Sequence, residues 1–166
     1  MNGIKTLHPW LFRAFFLLVV SGIWGAEPCW AMDLAKALKI GSGPTVVIEF
    51  TDPDCPYCRR GSAFFSSRSD VTRYIFLNPL PMHPQAKDKA RFILSSSNRP
   101  KAYEEVMSGR MDNRKLSDIT GEGTRLLDAQ MAIAREEGMA STPTYIICGR
   151  IILGFDKQKI ESALGK

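Results

Sequence analysis

Apolar positions fall into two kinds of run along this chain. Thr45 to Thr51 (Thr-Val-Val-Ile-Glu-Phe-Thr) is β-branched and apolar with no helical spacing, and predicts a buried central strand. Val71 to Leu77 predicts a second strand, closed by Asn78-Pro79-Leu80-Pro81. Between the two, Asp52-Pro53-Asp54 is turn chemistry, and a helix should begin at Cys55 or Pro56, because proline suits a helix's first turn. The middle of the chain changes to helical spacing. Pro84 to Ser95 places Ala86, Ala90, Ile93 and Leu94 on one side, and Pro100 to Ser108 does the same with Ala102, Tyr103, Val106 and Met107 before Gly109. Leu126 to Glu137 presents Leu127, Met131 and Ala134 and ends at Gly138. Thr144 to Cys148 and Arg150 to Gly154 predict a hairpin around Gly149, and Asp156 an N-cap for a last helix that buries Ile160 and Leu164. Near the start, Leu34 to Ile40 is expected as a short helix ended by Gly41-Ser42-Gly43-Pro44.

The first thirty-one residues follow a different pattern. Lys5 and Arg13 precede an apolar stretch from Ala14 to about Ala26, and Cys29-Trp30-Ala31 offers the small residues read at a cleavage site. Residues 1–31 are therefore expected to be an export signal cleaved after Ala31, with residues 32–166 as one domain. The alternative is an uncleaved membrane anchor, although the stretch is shorter than the ~20 residues of a spanning helix. Removing Lys5, Arg13 and Glu27 takes the net charge from +5 to +4. The remaining bases are scattered, which argues against nucleic-acid binding.

Cysteine placement changes the picture most. Cys55-Pro56-Tyr57-Cys58 follows the first strand directly, and Thr142-Pro143 precedes the late hairpin. A CxxC could be half of a zinc site, but Cys29, Cys148, His8 and His83 supply no second pair at ligand spacing. No metal or organic cofactor is expected. Three cysteines in residues 32–166 make no structural framework, so one close pair and a spare reads as a working dithiol. The order strand, CxxC helix, strand, helical block, hairpin, helix is a thioredoxin-like α/β order with a helical insertion.

Each site residue has a reading and a rival. Cys55, at a helix N-terminus, meets unpaired N–H groups and the positive end of the helix dipole, conditions that favour a nucleophilic thiolate. Cys58, one turn on, is expected to be the more buried thiol of higher pKa, which attacks the mixed disulfide and releases the partner. The rival for both is a static disulfide. Glu49 on the first strand is either an inward acid that takes the proton of Cys58, or an exposed strand-edge residue. Thr142-Pro143, if cis, would present its backbone to a substrate segment and the Thr142 hydroxyl to the sulfurs. Cys148 is expected to be a small apolar filler, and His83 a surface or cap residue.

With these residues in place the chain resembles the periplasmic thiol:disulfide interchange proteins of the DsbC and DsbG type. The likeness runs from about Thr45 to the end. It rests on Phe50-Thr51-Asp52-Pro53-Asp54-Cys55-Pro56-Tyr57-Cys58, on Lys101-Ala102-Tyr103-Glu104-Glu105-Val106-Met107-Ser108-Gly109 and on Ser141-Thr142-Pro143. It implies a thioredoxin-fold catalytic domain with Cys55 attacking, Cys58 resolving and Pro143 cis. It also implies cysteine-containing substrate proteins and a redox partner that recycles the dithiol. Met32 to Pro44 is too short for that family's N-terminal dimerisation domain, so a monomer is expected. Reductase or isomerase duty is the first expectation and DsbA-like oxidase duty the second. The third is a non-cycling binding module of an envelope secretion or conjugation assembly.

Overall fold

The structure, a computed structural model, describes residues 32–165. The expected signal at residues 1–31 lies outside them. Ten elements follow one another: β1 (Leu38–Gly41), β2 (Thr45–Thr51), α1 (Pro56–Ser66), β3 (Val71–Leu77), α2 (Ala86–Ser95), α3 (Arg99–Met107), α4 (Gly121–Glu136), β4 (Thr144–Ile147), β5 (Arg150–Leu153) and α5 (Lys157–Ala163). The strands form one sheet in the order β1-β3-β2-β4-β5. β2 lies at its centre, as an unbroken apolar run requires, with Val47 and Phe50 fully buried. It pairs parallel with β3, from Thr45 opposite Val71 to Thr51 opposite Leu77, which the α1 crossover makes possible. On its other side β4 runs antiparallel, with Glu49 opposite Tyr145.

Two cores flank the sheet. Val47, Phe65, Tyr145, Ile147, Ile152 and Ile160 pack together between the strands, α1 and α5. The helical insertion brings Ile93, Leu94, Tyr103, Val106 and Leu127 against Ile75, Leu77 and both cysteines of the CxxC. The insertion therefore forms one wall of the dithiol.

Three expectations need correction. Leu34 to Ile40 is not one helix: a single 3-10 turn, Leu34–Lys36, gives way to β1. Leu38 and Ile40 alternate with Lys39, and the β3 edge offers them backbone partners, Leu38 opposite Ile75 and Ile40 opposite Arg73. α4 begins five residues before Leu126, because Thr120 caps it through a 3.0 Å bond from the Gly123 N–H. Gly123 is no breaker there; a Cβ on it would lie 2.1 Å from the Ser95 hydroxyl, so glycine lets α4 close on the end of α2. Cys148, finally, is exposed. It occupies the two-residue β4–β5 turn with Gly149, both at positive φ, where the side chain meets solvent.

Candidate active site

The turn before α1 is built around Asp52. Its carboxylate is fully buried and accepts from the N–H groups of Asp54 (2.7 Å), Cys55 (3.2 Å) and Leu80 (2.6 Å), while His83 Nδ1 lies 2.9 Å away. This places Cys55 in extended conformation at the N-cap of α1, with Pro56 as the first helical residue. The Cys55 thiol donates to the Thr142 carbonyl oxygen at 3.6 Å, and the Thr142–Pro143 bond is cis. The late loop and the CxxC thus meet as the sequence suggested.

Cys58 differs from Cys55 in its surroundings. Cys55 keeps 5% of its surface exposed and Cys58 none, and Cys58 accepts from the Asp52 N–H at 3.3 Å. Burial pushes its pKa well up from the ordinary 9.0; the Thr51 hydroxyl, the Asp52 N–H and the Thr142 hydroxyl pull the other way. Neither hydroxyl has another hydrogen-bond partner among the described residues.

Beneath the helix lies a sealed charge. Glu49 is fully buried, so the inward orientation holds, but its carboxylate has strong partners of its own. Arg73 donates to Glu49 Oε2 from Nη2 at 2.6 Å and from Nε at 3.1 Å. It also donates to the Tyr103 hydroxyl at 3.0 Å, and Tyr103 in turn reaches Glu49 Oε1 at 3.4 Å. Burial alone would lower the pKa of Arg73; the charges and hydrogen bonds of Glu49 and Tyr103 together outweigh it and drive the value up. Burial, then Glu49, raises that of Tyr103. Tyr145 rises too, first through burial, and its hydroxyl rests on α1 where a Cβ on Gly61 would come within 1.9 Å.

A second charged cluster sits at the helix mouth. Arg59, one turn after Cys55, holds both Asp112 oxygens (2.6 and 2.7 Å), Asp54 (3.1 Å) and the Pro53 carbonyl (2.8 Å). The buried Lys89 of α2 donates to Asp54 and Asp112, each at 2.5 Å. Hydrogen bonds from Arg59 and then Lys89 hold the Asp112 carboxyl well below the usual range.

Of the expected site residues, Cys55, Cys58, Thr142 and Pro143 come together, and Glu49 lies beneath them bound to Arg73. Sequence reasoning did not single out Arg73, Thr51 or Asp52. Arg73 carried a signal, a lone opposite charge inside the strand next to that of Glu49. Thr51 carried none, since threonine is an ordinary strand residue. Among the described residues no group of three or more His, Cys, Asp or Glu side chains converges as a metal ion would need.

Two thiols at the start of the first crossover helix are thus faced by a cis-proline loop. The chain belongs to the thioredoxin-like domain family, whose model matches residues 31–155. It is 27% identical over 135 residues to a probable thiol:disulfide interchange protein DsbC of Bordetella pertussis. That match covers 80% of this chain and 46% of the relative, so the chain spans about half the relative's length. The crystal structure of a disulfide interchange protein from Neisseria gonorrhoeae superposes with a TM-score of 0.69 at 30% identity, covering 81% of this chain and 97% of that one. The catalytic domain of Proteus mirabilis ScsC, 22% identical, shares the fold at a TM-score of 0.62 over 79% of this chain and 88% of its own. The expected thioredoxin-like fold and the likeness to DsbC-type proteins both hold.

Proposed function

We propose that the protein is an exported thiol–disulfide oxidoreductase that exchanges disulfides with cysteine-containing proteins of the periplasm, as a monomer, in reductase or isomerase duty. One observation carries the reading: both cysteines are buried, but Cys55, at 5% exposure, lies at the helix mouth beside the Thr142 carbonyl, while Cys58, at 0%, is sealed below. Cys55 as thiolate attacks a substrate disulfide, a mixed disulfide forms and one substrate thiolate leaves. Cys58 then attacks the Cys55 sulfur, closes the Cys55–Cys58 bond and expels the second. Its proton is taken up by Glu49, the buried acid beneath the dithiol. The cis-proline loop lies where an extended substrate segment can pair with its backbone. A separate redox partner reopens the disulfide. Residues 1–31 serve as the export signal in this reading, supported by their charge and apolar pattern.

Cys58→Ser tests the reading. It should trap many partners as mixed disulfides through Cys55; no trapped complex under oxidising conditions would sink the enzyme in favour of a binding module. Equilibration in glutathione buffers then separates the duties. A potential near about −120 mV indicates an oxidase, about −180 to −200 mV an isomerase, and about −270 mV a reductant.

A further inference from the structure

Disulfide exchange at this site requires negative charge on a sulfur that water does not reach. When a substrate thiolate attacks Cys55 in the closed disulfide, the new bond joins substrate sulfur to Cys55 and the Cys55–Cys58 bond breaks. Its electron pair leaves on Cys58, which then takes back the proton that the substrate thiol had given up. Resolution is the same step reversed. In both directions Cys58 passes through a thiolate at a position with no exposed surface, and an uncompensated buried anion is costly. Glu49 and Arg73 already satisfy each other, so this pair lends the sulfur no free cation.

What surrounds the sulfur is a set of neutral donors. The Asp52 N–H already points at it, at 3.3 Å. The hydroxyls of Thr51, at the end of β2, and Thr142, beside Pro143, are buried and make no hydrogen bond elsewhere among the described residues. In the resting protein the Cys58 sulfur is the one acceptor either hydroxyl faces among the described residues, whereas nearly all buried hydroxyls find a strong one. The arrangement has an explanation if the strong acceptor exists only during the reaction. A thiol is a poor acceptor; a thiolate takes strong, charge-assisted bonds.

We propose that Thr51 is a catalytic residue of the exchange reaction, whose hydroxyl, with that of Thr142 and the Asp52 N–H, receives the Cys58 thiolate as it forms. The arrangement works as an oxyanion hole does, with fixed donors waiting where charge develops. It rests on the oxidoreductase reading and names a residue that reading does not use. Because Cys58 is uncharged both in the disulfide and as the resting thiol, these donors act on rates and leave the reduction potential nearly unmoved.

The test is the rate at which reduced glutathione opens the oxidised protein, read by quenched alkylation and mass, beside the glutathione redox equilibrium. Thr51→Val, close in shape, should slow opening about tenfold or more with little change in potential, and Thr51→Ser should restore most of the rate. Should the valine variant not fold, Thr51→Ala is read the same way. Opening at the unsubstituted rate in the hydroxyl-free variant overturns the proposal, and so does a slowing that serine does not restore. If glutathione fails to open the unsubstituted protein at all, the oxidoreductase reading falls and this proposal with it.

Discussion

Two clusters of charge flank the CxxC helix, built from the same kinds of side chain in different surroundings. Beneath α1, Glu49 and Arg73 face each other with 0% and 4% of their side chains exposed. At its mouth, Asp54, Arg59, Lys89 and Asp112 form a four-membered network whose members range from the sealed Lys89, at 4%, to Asp112, at 34%. The lower pair joins β2 to β3 and, through Tyr103, to α3. The upper network joins the CxxC turn to α2 and to the turn after α3. Depth decides what each can do. A sealed pair cannot lose one member without stranding the other in low dielectric, so it fixes architecture. A half-open network is shared with solvent and salt, so its loss is graded.

Arg73→Met tests the sealed pair most severely, because it leaves the Glu49 carboxylate buried without its cation. We expect a loss of about 3–5 kcal/mol in denaturant unfolding, barely altered by salt. Gly61→Ala comes next. Its methyl would collide with the Tyr145 hydroxyl, and about 1–3 kcal/mol should be lost. Tyr145→Phe in the same chain should return part of that, since the hydroxyl has no hydrogen-bond partner among the described residues. Lys89→Met should cost less, about 2 kcal/mol, with a smaller deficit at 1 M salt. A deficit equal to that of Arg73→Met and indifferent to salt would erase the distinction between the two clusters.

The smallest effect is a pH dependence. Burial holds the Cys58 pKa above its ordinary 9.0, so an unfolded chain ionises this thiol before the folded one does. The stability it contributes is whole below pH 9 and is lost as pH rises further, at no more than about 1.4 kcal/mol per pH unit. The disulfide form has no such thiol and should keep its stability until the buried tyrosines respond, above their ordinary 10.0. Denaturation midpoints of both forms between pH 8 and 11 would reveal the gap; parallel curves would contradict it.

Elements whose residues agree at every level were legible from the chain alone. β2 and β3 read true because β-branched runs bounded by turn residues leave no other choice, and α1 because Pro56 follows a turn. β1 was misread because four residues carry too little periodicity; its state is decided by the free edge of β3, which is tertiary information. The start of α4 was hidden because Gly123 looks like a breaker until Ser95 is placed beside it. Within the site, the dithiol and the proline announced themselves through spacing. Glu49 could be read as inward, but that Arg73 and Tyr103 hold it depends on strand register and on the packing of the insertion. Thr51 could not be read at all, because the Cys58 sulfur its hydroxyl faces is brought to it only by the packing of α1 on β2.

The two halves of the site stand far apart along the chain. Cys55 and the Thr142 oxygen that accepts from it are separated by 87 positions. The CxxC and its helix can form locally, whereas the loop facing them arrives only when β4 docks on β2 and closes that long span, a step that is entropically late. Cys58 is covered only as the insertion between them packs down. In a newly made chain Cys55 and Cys58 are therefore ordinary cysteines, and they become a selective reagent only when folding is complete. Its chemistry is withheld until the molecule that performs it is finished.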